Sequence, residues 1–215
     1  EPVRRAAVDI ARRLNFARYG DSGASALRSA LAAYAGVRPE MVFCGNGSDE
    51  IIHLFLTAFG GNGRRVIVPR PTFVTFRREA ILSGAELVEV PLAPAESADP
   101  FALDIEQVVR LAKEKPGVVF IVNPNNPTGN LIPREALLRI LAETESLLVV
   151  DEAYYEYAGT TLAGEVARNP RLAVMRTLSK AFGLAGLRLG YVIAVPEVVA
   201  ALDRVRLPFN VNMFT

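Results

Sequence analysis

The sequence predicts an α/β domain: a mostly parallel central sheet flanked by helices. Three observations point there. Short continuous apolar runs, at 118–122 and 147–150, have the length and β-branched content of strands buried on both faces. Segments of helical period lie between such runs, the alternation that builds βαβ units. Several runs also stop abruptly at Gly, Asn, Asp or Lys, as strands do where a ligand binds beyond their carboxyl ends.

The elements follow in order. Residues 3–14 read as an amphipathic helix with Pro2 near its first turn, and 24–35 as a second helix closed by Gly36. A strand at 41–44 stops at Gly45, and a helix over 48–59 opens on Ser48-Asp49-Glu50, residues that favour a helix N-terminus. A strand at 65–68, a helix at 72–83 and a strand at 86–90 come next. The stretch 92–100, rich in Pro, Ala and Ser, reads as a loop, and Asp104 caps a helix running to about Glu114. Strands at 118–122 and 147–150 flank a helix at 133–144, strands at 172–177 and 189–194 follow, and Pro196 opens a final helix.

Composition narrows the function classes. The chain has 215 residues, 51% hydrophobic and 22% charged, enough for one sizeable domain with a true core. A net charge of +1 gives no electrostatic case for nucleic acid or an anionic membrane surface, and no apolar run is long enough to span a bilayer. A single Cys and a single His cannot build a zinc centre, and one cysteine fits a reducing cytoplasm. Cys44 and His53 read as structural. The first residue is not Met and the last, Phe209 to Thr215, carry no polar tail, so the chain is expected to be part of a longer protein.

Four predicted strands end in residues that do not suit a core: Gly45-Asn46-Gly47-Ser48-Asp49, Asn123 to Gly129, Asp151-Glu152-Ala153-Tyr154, and Leu178-Ser179-Lys180. In a parallel sheet these ends lie on one edge and define a site. The Gly-rich turn before a helix suits a phosphate, although alone it also fits an ordinary tight connection. Asp151, at the rim of an apolar interior, needs a partner: a helix cap or structural ion pair on the plain reading, a protonated ring nitrogen on the functional one. Lys180 is one of three lysines beside 21 arginines. Lysine can be tuned into an amine nucleophile and arginine cannot, so a lysine at a strand end suggests that chemistry, with a solvated surface lysine as the alternative. Arg188 can supply a fixed charge for a phosphate, and Phe73 can pack on an aromatic cofactor or simply fill the core.

Ser179-Lys180-Ala181-Phe182-Gly183-Leu184-Ala185-Gly186-Leu187-Arg188 resembles the lysine motif of fold-type I aminotransferases, which use pyridoxal 5'-phosphate (PLP). Asn126-Pro127-Thr128-Gly129 and Asp151-Glu152-Ala153-Tyr154 resemble that family in the same order. Gly45 to Glu50 and Pro208-Phe209-Asn210-Val211-Asn212 are similar to its histidinol-phosphate aminotransferase group. The resemblance covers essentially the whole chain as a large cofactor-binding domain, with the N-terminal segment and the smaller C-terminal domain outside it. It implies that Lys180 carries the cofactor and shuttles a proton, and that Asp151 pairs with the ring nitrogen. Asn126 and Tyr154 would hydrogen-bond the ring oxygen, and Phe73 would stack on the ring where many relatives have Tyr. Ser48, Asp49, Ser179 and Arg188 would hold the phosphate. Tyr19 would reach the partner subunit's phosphate, which implies a homodimer, and an amino donor and a 2-oxo acid are the implied substrates. Threonine-phosphate decarboxylation and aromatic transamination on the same scaffold are the nearest alternatives. A PLP-binding regulatory domain is a more distant one, since no basic helix-turn-helix is visible.

Overall fold

The computed structural model describes residues 2–61 and 63–215. Seven strands form one sheet: β1 (Val42–Gly45), β2 (Arg65–Arg70), β3 (Glu86–Pro91), β4 (Val118–Val122), β5 (Leu147–Asp151), β6 (Leu172–Thr177) and β7 (Gly190–Ile193). Their spatial order is β1-β7-β6-β5-β4-β2-β3. Pairings among β6, β5, β4, β2 and β3 are parallel, whereas β7 is antiparallel to both β6 and β1. Strand β1 therefore runs with β6, and the carboxyl ends of β1, β4, β5 and β6 share one edge, as expected.

Helices α1 (Pro2–Arg13), α2 (Ser25–Ala35), α3 (Ser48–Phe55), α4 (Val74–Leu82), α5 (Ile105–Glu114), α6 (Arg134–Glu143), α7 (Tyr155–Ala158) and α8 (Pro196–Val205) complete the domain. Two buried apolar clusters cover the two faces of the sheet. Alternation sorts each strand between them: Val150 and Val174 join one cluster, Val149, Ala173 and Met175 the other. Strand β4 is buried at every position, the two-sided burial that its unbroken apolar run implies.

Local signals act as the residue types require. Gly36 closes α2 in the left-handed conformation at φ 68°, and Asp104 caps α5 by accepting a 2.9 Å bond from the Gln107 amide. Two expectations need correction. The helix from Ser48 ends at Phe55 and gives way to a broader, i→i+5 turn, Leu56–Gly60, in which Gly60 packs so closely on Leu56 that an added Cβ would sit 2.5 Å from Leu56 Cδ2. The helix expected from Thr72 begins at Val74, because the Thr72 hydroxyl instead donates to Asn125 Oδ1 at 2.8 Å. Cys44 is buried in β1 and burial pushes its thiol up to about 12, an unreactive group. His53 bonds Glu79 at 3.0 Å on the far side of α3.

Candidate active site

A cleft of about 170 Å³ opens at the carboxyl edge of the sheet. Nine residues singled out from the sequence line it: Ser48, Asp49, Phe73, Asn126, Asp151, Tyr154, Ser179, Lys180 and Arg188. They come from five separate connections along the chain, and the sheet topology alone brings them together. Tyr19 does not join them. It is 79% exposed, stacks on Phe209 at 4.4 Å between ring centroids, and lines a separate hollow of about 610 Å³. That hollow is the larger of the two, but the convergent titratable groups lie in the smaller.

The anion-binding corner is built from β1, the following turn and α3. Gly47, at φ 84°, turns the chain into α3, whose first turn has no side-chain cap, so its leading amides remain available to a ligand. A Cβ on Gly47 would lie 2.5 Å from Arg188 Nη2 and displace the guanidinium, and the positive φ is itself costly for any residue with a side chain. Arg188 itself is left-handed at φ 52° and donates to Asp49 Oδ2 at 3.4 Å. Gly190 closes from the other side, where a Cβ would sit 2.6 Å from the Ser48 amide.

Asp151 ends β5 with its side chain buried, 4% exposed. Its carboxylate accepts one hydrogen bond among the described residues, from the Ala153 amide at 3.0 Å. Desolvation dominates and pushes its pKa up from 3.8 to about 7, with the Ala153 bond opposing, Glu152 raising it further and Lys180 pulling it down. A cationic partner placed against this carboxyl would favour its ionised form. Across the cleft, Lys180 Nζ lies 5.6 Å from the Tyr154 ring centroid.

Asn126 is placed by an interlocked loop. Asn125 donates to the Pro71 carbonyl at 3.0 Å and to Thr128 Oγ1 at 2.6 Å, and Asn123 exchanges two bonds with the Ile132 backbone. Phe73 packs edge-on against Phe76, with ring centroids 6.1 Å apart, which fixes it at the wall of the cleft.

Sequence reasoning missed two features. Thr177 also lines the cleft, and its hydroxyl accepts from the Ser179 amide at 3.1 Å, shaping the bend that leads to Lys180. A polar residue at the end of an otherwise apolar strand was the available signal. Behind the cleft, Glu152 and Arg176 form a pair 3.0 Å apart at 2% and 3% side-chain exposure. Thr161 Oγ1 and the Leu162 amide complete the coordination of Glu152, and the Arg176 guanidinium lies 3.6 Å from the Tyr155 ring centroid. No spacing rule links residues 24 apart.

A lysine, a buried carboxylate and a glycine-turned helix N-terminus at one sheet edge is an arrangement that can be compared with known proteins. The family model described as aminotransferase class I and II matches residues 1–215. The chain belongs to this family. A histidinol-phosphate aminotransferase of Desulfitobacterium hafniense is 46% identical over 202 residues, which is 93% of this chain and 56% of that relative. Among solved structures, histidinol-phosphate aminotransferase from Clostridium acetobutylicum superposes with a TM-score of 0.85 at 25% identity, covering 96% of this chain and 60% of that one. The Sinorhizobium meliloti enzyme, in complex with pyridoxal-5'-phosphate, has a TM-score of 0.84 at 27% identity and covers 97% of this chain and 57% of its own. The chain thus spans somewhat more than half the length of the relatives it matches, and the aminotransferase fold class expected from its sequence is the observed one.

Proposed function

We propose that this chain is the PLP-binding domain of a longer aminotransferase that exchanges an amino group between histidinol phosphate and 2-oxoglutarate. The observation that carries the reading is Asp151, a buried carboxylate raised to about 7 that faces the cleft with Lys180 opposite. It fits the cofactor because a protonated pyridine nitrogen would supply a cationic partner and return Asp151 to its ionised form. The names of the relatives at 46% identity support the substrate.

When bound, PLP supplies an electron sink that makes the substrate Cα–H bond acidic. The chain's residues do the rest. Asp151 holds a proton on the ring nitrogen through an ion pair. Lys180 supplies the amine that anchors the cofactor and then moves the proton at the substrate Cα. Asn126 and Tyr154, which line the cleft, would donate to the ring oxygen, and Phe73 would cover the ring and exclude water. Arg188, Ser179 and the leading amides of Ser48 and Asp49 hold the phosphate, where the α3 dipole adds to the fixed charge. Tyr19 and its exposed surroundings serve a second copy of the chain in a cytoplasmic homodimer.

The test is a half-reaction of the full-length protein with histidinol phosphate. The expected result is conversion of the cofactor's visible band to its amine form without release of carbon dioxide, reversed by 2-oxoglutarate. Carbon dioxide release from phosphothreonine, with no response to histidinol phosphate, would replace this reading with a decarboxylase.

A further inference from the structure

Two short motifs remain that the proposed chemistry does not use: the asparagines of the 208–212 segment and Glu50 after the glycine turn. The fold joins them. Asn210 Nδ2 donates to Glu50 Oε2 at 2.8 Å, across 160 residues of sequence, and to the Cys44 carbonyl at 3.2 Å. The same Glu50 oxygen accepts the Asn46 amide at 2.6 Å, so Asn210 and Glu50 together hold the Gly45–Gly47 turn at its entry and at its middle residue. Two residues further on, Asn212 Nδ2 donates to the Leu187 carbonyl at 3.2 Å, and Thr215 Oγ1 donates to the same oxygen at 2.6 Å. Leu187 directly precedes Arg188, whose left-handed backbone is costly for any residue with a Cβ and needs support from its neighbours.

The two turns held this way are the two halves of the anion corner, the one leading to the amides of Ser48 and Asp49, the other presenting the Arg188 guanidinium. We propose that residues 208–215 form a clasp in which Asn210 and Asn212 act as positioning residues that preset this corner for a phosphate. Neither asparagine lines the cleft. They act through carbonyls and a carboxylate that fix backbone donors and Arg188 before the ligand arrives, so the anion meets an ordered site. The proposal rests on the reading of the cleft as a PLP site and adds the part of the chain that governs its phosphate end.

The experiment separates phosphate recognition from general stability. Cofactor-free full-length protein is titrated with PLP and, separately, with pyridoxal, which lacks the phosphate. The ratio of the two dissociation constants measures the phosphate contribution. Asn210→Leu and Asn212→Leu keep the side-chain size and remove the donor. Each is expected to shrink the ratio by about tenfold, chiefly by weakening PLP while pyridoxal binds as before. Protection of the cofactor-free protein against heat by inorganic phosphate should fall in parallel. A ratio unchanged in both variants, or equal weakening of both ligands, overturns the clasp. A wild-type protein that does not distinguish PLP from pyridoxal overturns the phosphate site and the clasp with it. Asn212 is exposed, and beyond the Leu187 carbonyl its side chain bonds only the Thr215 amide of the same segment among the described residues, so its variant reads the same ratio should Asn210→Leu fail to fold.

Discussion

Replacing Asp151 with Asn should make the cofactor-free protein more stable at alkaline pH while making the enzyme much slower. Folding moves this carboxyl from 3.8 to about 7, because burial removes the water that stabilises its charge. Between those values the folded protein keeps a proton that the unfolded chain has lost. Stability therefore falls as pH rises from about 4 to about 7 and is flat above. At ~1.4 kcal/mol for each pH unit, the buried charge costs up to about 4 kcal/mol above pH 7. The near-isosteric amide removes that charge and can still accept the Ala153 amide hydrogen bond. At about 2–4 °C per kcal/mol for a domain of this size, the variant should melt on the order of 10 °C higher than wild type at pH 8. The gap should close as the pH approaches 4. The assay is a pair of thermal melts in phosphate-free buffer, from pH 4 to pH 9, with and without PLP. Added cofactor should stabilise the wild type more than the variant, since only the carboxylate gains a cation, and turnover should drop by several kcal/mol of transition-state stabilisation. A melting difference that does not change with pH, or a variant less stable at pH 8, would refute the argument from desolvation.

Three further outcomes follow from the same geometry. Lys180→Ala should abolish covalent trapping of PLP by borohydride; peptide mapping that finds the label on Lys113 or Lys115 would reassign the anchor. Arg188→Leu should weaken PLP binding by one to two orders of magnitude, in keeping with a charge-assisted contact, while Lys180 still traps the cofactor at saturation; an unchanged dissociation constant would remove Arg188 from the phosphate site. Arg176→Met should destabilise the fold by about 3–5 kcal/mol, because it strands Glu152 as a buried charge, and adding Glu152→Gln should recover part of the loss. Denaturant midpoints of the single and double variants measure this, and a single variant as stable as wild type would mean that water reaches Glu152.

Much of the site was legible in the sequence because its residues contradict their surroundings. Asp151 closes an apolar strand, Lys180 is a lysine in an arginine-preferring chain, and Asn126 sits in a loop dense with turn formers. The first two break a local pattern that packing would favour, and such breaks concentrate where function requires them, whereas Asn126 fits its loop and was singled out only by the family resemblance. The exact ends of the helices were less legible. Thr72 has acceptable helical propensity, yet its hydroxyl is engaged by Asn125, 53 residues away, a partner set by tertiary contact.

What the amino-acid sequence determined alone was local: which runs form strands, where they stop, and which chemically capable residues stand at their ends. These depend on periodicity, side-chain size and backbone freedom within a few residues. Only the tertiary structure decided that β7 runs antiparallel between β1 and β6, that Glu152 pairs with Arg176 beneath the cleft, and that Asn210 reaches back to Glu50. It also decided that Asp151 titrates near neutrality. Partners far apart in the chain leave no period in the sequence, and a carboxyl group's affinity for its proton is set by how much water the assembled fold removes from it.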